Sequence, residues 1–166
     1  MAKVLILVGS KGMNVKLADK LAEEISSQKG TYKFINLVDL ELPLYPAKST
    51  EATAKIISLT EEIFASAALL IVAPEYNGSV PPALNNAIAW VSTSSEDWRQ
   101  ALNGKTVALA THSGGGGAHV LMAMRQQFSY LGANVIGRDI LTHYKKELNP
   151  ESASEVIQQL LKHGQA

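Results

Sequence analysis

Ala68-Leu69-Leu70-Ile71-Val72-Ala73-Pro74-Glu75-Tyr76-Asn77-Gly78-Ser79-Val80-Pro81-Pro82 is the stretch on which the fold turns. Its first half is an unbroken apolar run with no polar residue for a solvated face. A strand that is buried on both sides has this pattern, as in a parallel sheet held between two layers of helix. The run is too short for a membrane span, which needs about 20 apolar residues. Pro74 ends it, Asn77-Gly78 supplies a tight turn, and Pro81-Pro82 fix the entry into a helix whose apolar face is Leu84, Ile88 and Val91.

Working outward, the same alternation recurs on both sides. Strands are expected near 3–9, 32–37, 68–73, 105–110 and 134–141. Between them, Leu17, Leu21 and Ile25 mark a first helix, and Ile56, Thr60, Ile63 and Ala67 a second. Val120, Met124, Phe128 and Leu131 mark the fourth. The last helix announces itself by Asn149 as N-cap, Pro150 at the first helical position and Glu151 at the positive end of the dipole, ahead of Val156, Leu160 and Leu161. Strands alternating with helices give an α/β fold with helices on both faces of a parallel sheet. Only 38–50, with Pro43 and Pro46, reads as a long irregular connection.

Size and composition fit one domain spanning 1–166, able to bury roughly 70% of its unfolded surface. Fifteen basic and fifteen acidic residues cancel, so there is no basic field of the kind nucleic-acid binding uses. Cysteine is absent, which excludes thiol catalysis and Cys-based metal centres, so any redox chemistry must come from a bound cofactor. The lysine and short apolar run at the N-terminus lack the pattern of a signal peptide. The expectation is a soluble, cytoplasmic protein with neither membrane nor nucleic-acid partner.

In open parallel sheets, ligands bind beyond the carboxyl ends of the strands at a topological switch point. That directs attention to three loops. The first, Gly9-Ser10-Lys11-Gly12-Met13-Asn14, offers small residues and the free N–H groups of a helix start, which favour an anion such as phosphate. It reads equally as an ordinary turn with Asn14 as N-cap, and matches neither the dinucleotide fingerprint nor the P-loop. The second, Pro74 to Pro82, is rigid, and its backbone groups suit edge-on recognition of a planar heterocycle such as a flavin, with Tyr76 over part of the ring. The third, Thr111-His112-Ser113-Gly114-Gly115-Gly116-Gly117, holds four consecutive glycines. They are costly to order, and a flat ligand against the backbone accounts for them better than a structural turn does.

These residues resemble the NADPH-dependent FMN reductase family, a flavodoxin-like group that includes quinone, chromate and azo-dye reductases. Gly9-Ser10, the segment Asn14 to Ala18, and above all Pro74-Glu75-Tyr76-Asn77-Gly78-Ser79-Val80-Pro81 with Leu84-Asn85 and Ala87-Ile88 carry the resemblance. The second loop is similar to the family's P-E-Y-N-x-S-x-P signature, which holds the isoalloxazine ring. The resemblance implies a flavodoxin-like three-layer sandwich with a five-stranded parallel sheet in the order 2-1-3-4-5. It also implies FMN bound by Ser10, Lys11, Met13, Asn14, Pro74, Glu75, Tyr76, Asn77, Gly78, His112, Ser113, Gly114 and Gly115. NADPH or NADH would be the co-substrate, and a quinone, flavin or similar small molecule the electron acceptor. No side chain is needed as nucleophile or base. The first loop departs from the family: the segment is shorter, and Lys11, Gly12 and Met13 stand where an arginine and a hydroxyl usually grip the phosphate. The third has His112 where proline is common.

A homodimer or homotetramer is implied, built on the helix after the second loop, with Trp90, Val91 and Trp98 supplying large apolar groups near the site. Two other readings stand beside the reductase. One is a non-enzymatic flavodoxin-like binding module with weak or lost FMN binding, motivated by the missing arginine. The other is a serine hydrolase from Ser113, Asp139 and His143, in the order of roles of an α/β-hydrolase but without the glycine two residues before the serine. His112, His119, His143 and His163 have no metal-ligand spacing, and apart from His112, singled out by its loop, they read as surface or hydrogen-bonded core groups.

Overall fold

β3 (Ala68–Val72) is fully enclosed along its whole length, and the rest of the chain is arranged about it. The computed structural model describes residues 3–47, 50–94, 96–97 and 99–164. In chain order the elements are β1 (Lys3–Val8), α1 (Met13–Ser27), β2 (Thr31–Asn36), α2 (Thr50–Ala65), β3, α3 (Pro82–Ser92), β4 (Thr106–His112), α4 (Ala118–Tyr130), β5 (Asn134–Val135), β6 (Ile140–Thr142) and α5 (Pro150–His163). The sheet is parallel, in the order β2-β1-β3-β4-β5, with β6 also on β4. This is the doubly wound order whose switch point falls between β1 and β3.

Alternate residues of the strands feed two cores. Val4, Ile6 and Val8 of β1 face Leu17, Leu21 and Ile25 of α1 and Val156, Leu160 and Leu161 of α5. Leu5 and Leu7 face the other way, with Leu69 and Ile71, toward Leu59 and Ile63 of α2, Leu84 and Ile88 of α3, and Val120, Met124 and Phe128 of α4. Burying both faces of the central strands between helices is what their continuous apolar runs require.

The fifth sheet position departs from the single strand expected over 134–141. β5 pairs with the start of β4 (Thr106↔Asn134) and β6 with its end (Ala110↔Ile140), with Gly137-Arg138-Asp139 leaving the sheet between them. The excursion is pinned by Arg125 of α4, which donates to Ile136 O at 2.7 Å and pairs with Asp139. Burial pushes the Asp139 carboxyl up, against the opposing pull of Arg125. At the second helix, Ala67 lies beyond the end of α2 and packs on the α1/α5 core rather than with Ile63. Asn149 caps α5 as expected, accepting from Ser152 N at 2.9 Å.

The connection after β2 is tied to α3. Asn86 Nδ2 donates to Pro43 O at 3.0 Å, Tyr45 N donates to Asn86 Oδ1 at 2.9 Å, and Trp90 Nε1 donates to Pro43 O at 2.8 Å. Trp90 also meets the Tyr45 ring edge-on. Trp90, expected at a subunit interface, is thus engaged within its own chain, and Val91 is core. Trp98 lies outside the described residues.

Candidate functional site

The loops after β1, β3 and β4 emerge together at the carboxyl end of the sheet. A Cβ on Gly9 would lie 3.1 Å from Pro81 Cγ, so glycine lets the first loop close against the second. Ser10 is buried, and its carbonyl accepts from Asn36 Nδ2 at 3.0 Å. The Lys11 ammonium pairs with Asp39 on the far side of the loop, both groups exposed, so its charge is shared before any phosphate arrives. Met13 opens α1 and is exposed.

Asn14 is not the N-cap. Gly12 takes that position with φ 72° and no side-chain cap, and the buried Asn14 amide reaches across the sheet instead. Its Nδ2 donates to His112 O and its Oδ1 accepts from His112 N, both at 2.9 Å. This two-way clasp fixes the start of α1 against the end of β4.

The second and third loops are joined in the same manner. Tyr76 and Ser79 exchange N–H···O bonds of 3.0 Å around Asn77 (φ 52°) and Gly78 (φ 72°), the paired left-handed conformations that Asn-Gly adopts readily. Glu75 N donates to Ser113 Oγ at 2.7 Å, and Ser113 Oγ meets Thr111 Oγ1 at 2.8 Å. The Glu75 carboxylate accepts from His119 N at 3.0 Å and Val120 N at 3.2 Å. With Gly117 as a residue that brings no side-chain cap, Glu75 caps α4 from another loop, a negative charge at the positive end of the helix. His119, read from sequence as a surface or hydrogen-bonded core group, is 74% exposed, 3.7 Å from Glu75 Oε1. Sequence spacing held no signal for it, because its partner is 44 residues away.

The four glycines divide into two pairs. Gly116 (φ 113°) and Gly117 (φ 81°) are conformational necessities, and a Cβ on Gly117 would sit 2.6 Å from Thr111 Cγ2. Gly114 and Gly115 are exposed, lie outside the left-handed region, and have room for a Cβ: the nearest atoms are Tyr144 Cε2 at 3.4 Å and Glu75 Oε1 at 3.8 Å. Folding therefore does not require glycine at 114 and 115. The backbone there is open, with Glu75 of the second loop facing it.

His112 is the last residue of β4, so the third loop proper begins at Ser113. Thr142 Oγ1 donates to Thr111 O at 3.0 Å and so accepts from His112 Nδ1, also at 3.0 Å. This assigns the proton to Nδ1 and leaves Nε2 as a buried acceptor without a partner among the described residues. The ring meets Tyr144 edge-on. The side-chain contacts of His112 are thus with β6 and the β6–α5 turn, while its backbone N–H and C=O are both taken up by Asn14. Ser113, Asp139 and His143 form no triad: Ser113 Oγ serves Glu75 and Thr111, Asp139 serves Arg125, and His143 Nδ1 accepts from Lys145 N at 3.2 Å.

The model of the NADPH-dependent FMN reductase family matches residues 2–147. The chain belongs to this family. It is accordingly an NAD(P)H-dependent oxidoreductase that works through FMN. The quinone reductase of Escherichia coli (strain K12) is 33% identical over 130 residues, 74% of this chain and 68% of that protein. The FMN-dependent NADH:quinone oxidoreductase of Shewanella frigidimarina is 27% identical over 191 aligned positions, covering 96% and 95%. Among solved structures, the flavoenzyme NAD(P)H:(acceptor) oxidoreductase FerB of Paracoccus denitrificans shares the fold with a TM-score of 0.73 at 23% identity, over 99% of this chain and 95% of that one. No helix among the described residues is long and apolar enough to cross a membrane.

Proposed function

We propose that this FMN reductase binds its flavin ring between Gly114-Gly115 and the Glu75–Gly78 turn, with the phosphate toward Ser10 and the start of α1, and that its acceptor is a quinone. The observation that carries this is the exposed Gly114-Gly115 backbone, which the fold itself does not need to keep free of side chains. Bound FMN would supply the chemistry, accepting a hydride from NADPH or NADH and passing electrons on. The chain's own part is placement. Pro74 and the Tyr76–Ser79 turn hold backbone groups at the ring edge, and Tyr76 is free to cover one face. Glu75 and Ser113 keep the two walls in register, and Asn14 sets the phosphate end against them.

The phosphate end is the weaker half. Lys11 faces Asp39, and phosphate recognition rests on Ser10, Met13 and Asn14 N–H groups and the helix start. FMN should therefore be partly lost on purification, and Ser10→Ala should weaken FMN while sparing riboflavin. Purified protein with added FMN should oxidise NADPH or NADH with a quinone acceptor faster than free FMN does; equal rates would overturn the proposal. The chain is further read as a single cytoplasmic domain forming a homodimer or homotetramer. Tyr130, 67% exposed at the end of α4 and lining a groove of about 370 Å³ between α3 and α4, supports this. A monomer mass by light scattering at micromolar concentration would refute it.

A further inference from the structure

A second cavity, of about 300 Å³, lies between α1 and the turn from β6 to α5, touching the cradle's residues only at Met13 and His112. Its apolar lining includes Leu17 and Leu148. One wall is Tyr144, 78% exposed, its ring held edge-on against His112. The turn behind it is firm: His143 and Lys146 exchange backbone bonds of 3.0 and 2.8 Å.

Three lysines line this cavity, Lys16 and Lys20 one turn apart on α1 and Lys146 from the turn. None has an ion-pair partner among the described residues, whereas Lys3, Lys11, Lys33, Arg125 and Arg138 all do. Glu147 is the single acid that lines it. In a chain of zero net charge this is a concentrated local excess of positive charge, which draws an anion. A carboxylate would neutralise one ammonium group; a phosphomonoester carries about −1.5 to −2 and is a good partner for lysines acting as point charges. The volume is at the low end of small-molecule sites, about 300–1,000 Å³, and the exposed Tyr144 ring offers a stacking face for a planar base.

We propose that this cavity binds a phosphomonoester carried on a planar base, at a site separate from the flavin cradle. That chemistry is shared by a free mononucleotide and by the 2′-phosphoadenosine end of NADPH; only the second source rests on the function proposed above. The test is calorimetric titration of the flavin-loaded full chain with adenosine 2′-phosphate, adenosine 5′-phosphate and adenosine. It is repeated for Lys16→Gln/Lys20→Gln and for Lys146→Gln, with flavin content read by absorbance. The phosphates should bind, adenosine about tenfold or more weakly, and each variant should lose about tenfold in phosphate affinity with flavin content unchanged. Preference for the 2′-phosphate, with KM for NADPH but not NADH raised in the variants, assigns the dinucleotide. Equal binding of both phosphates with both KM values unchanged assigns a mononucleotide. Adenosine binding as well as its phosphates, variants matching wild type, or loss of flavin in place of nucleotide would overturn the proposal. Binding is read without turnover, so an inactive reductase and an empty phosphate site are separate results.

Discussion

Gly115→Ala separates the needs of the fold from those of the ligand. In the flavin-free protein the added methyl meets nothing nearer than Glu75 Oε1 at 3.8 Å, and the backbone is outside the left-handed region. A glycine replaced by alanine at a compatible site gains about 0.4–1 kcal/mol through the unfolded state. For a domain of this size that raises Tm by about 1–4 °C. With flavin the sign reverses, because the methyl stands where the ring would lie, and overpacking costs about 1–3 kcal/mol. FMN and riboflavin should both bind roughly five- to 150-fold more weakly. Gly117→Ala is the contrast: at φ 81°, with a Cβ 2.6 Å from Thr111 Cγ2, it should lower the Tm of the flavin-free protein. The left-handed penalty alone is about 1–2 kcal/mol. Thermal melts without flavin, paired with fluorescence titrations of both flavins, read the two effects. Unaltered flavin affinity in Gly115→Ala, or a loss of Tm comparable to Gly117→Ala, would refute the assignment.

Glu75→Ala removes the carboxylate that caps α4 and should cost about 2 kcal/mol, or roughly 4–8 °C in Tm, with Glu75→Gln losing about half as much; equal melts for all three would deny the capping role. Asn14→Ala breaks both arms of the clasp to His112 and should destabilise by about 2–3 kcal/mol in urea unfolding, with Asn14→Asp, which keeps an acceptor but loses the donor, only partly better. Hydrogen bonding to Lys33, then Lys3, holds the Glu62 carboxyl below its ordinary 4.5 against the opposing effect of burial. Its stabilisation is therefore present above pH 4.5 and lost as pH falls below it, so the urea midpoint of wild type should drop more steeply in acid than that of Glu62→Gln. Asp139 acts with the opposite sign: its raised carboxyl disfavours the folded state at neutral pH and is relieved on acidification toward 3.8, so Asp139→Asn should remove that gain.

The strands with continuous apolar runs were legible because burial on both faces leaves no room for polar residues, and the helices because their apolar stripes recur at 3.6 residues. The fifth strand was not. Ile136 and Ile140 are both buried, and the break at Gly137-Arg138-Asp139 depends on Arg125, which no local pattern announces. The three loops of the cradle could be found from chain order alone, since a doubly wound sheet must bring them together. What each side chain does there was harder to read. Asn14 has the composition of a helix cap, yet it clasps a strand end 98 residues away; Glu75 reads as a ring contact, yet it caps a helix. Lys11 reads as a candidate phosphate ligand, and its pairing with Asp39 shows only in the fold. Each is a long-range pairing of polar groups, invisible to local spacing.

The two ends of the sheet bear on how copies of the chain can meet. β2 is exposed over Thr31, Tyr32 and Lys33, with Lys33 paired to Glu62 of α2 at 2.7 Å. The opposite margin is cut into strands of two and three residues by a charged excursion. Short, interrupted or lysine-bearing margins are poor templates for strand addition, which makes continuous edge-to-edge stacking into fibres unfavourable. Helical surfaces are then the more favourable ground for contact between copies. The groove between α3 and α4, lined by Val80, Asn85, Ala123 and Tyr130 and reaching Ser79 of the second loop, is one such surface.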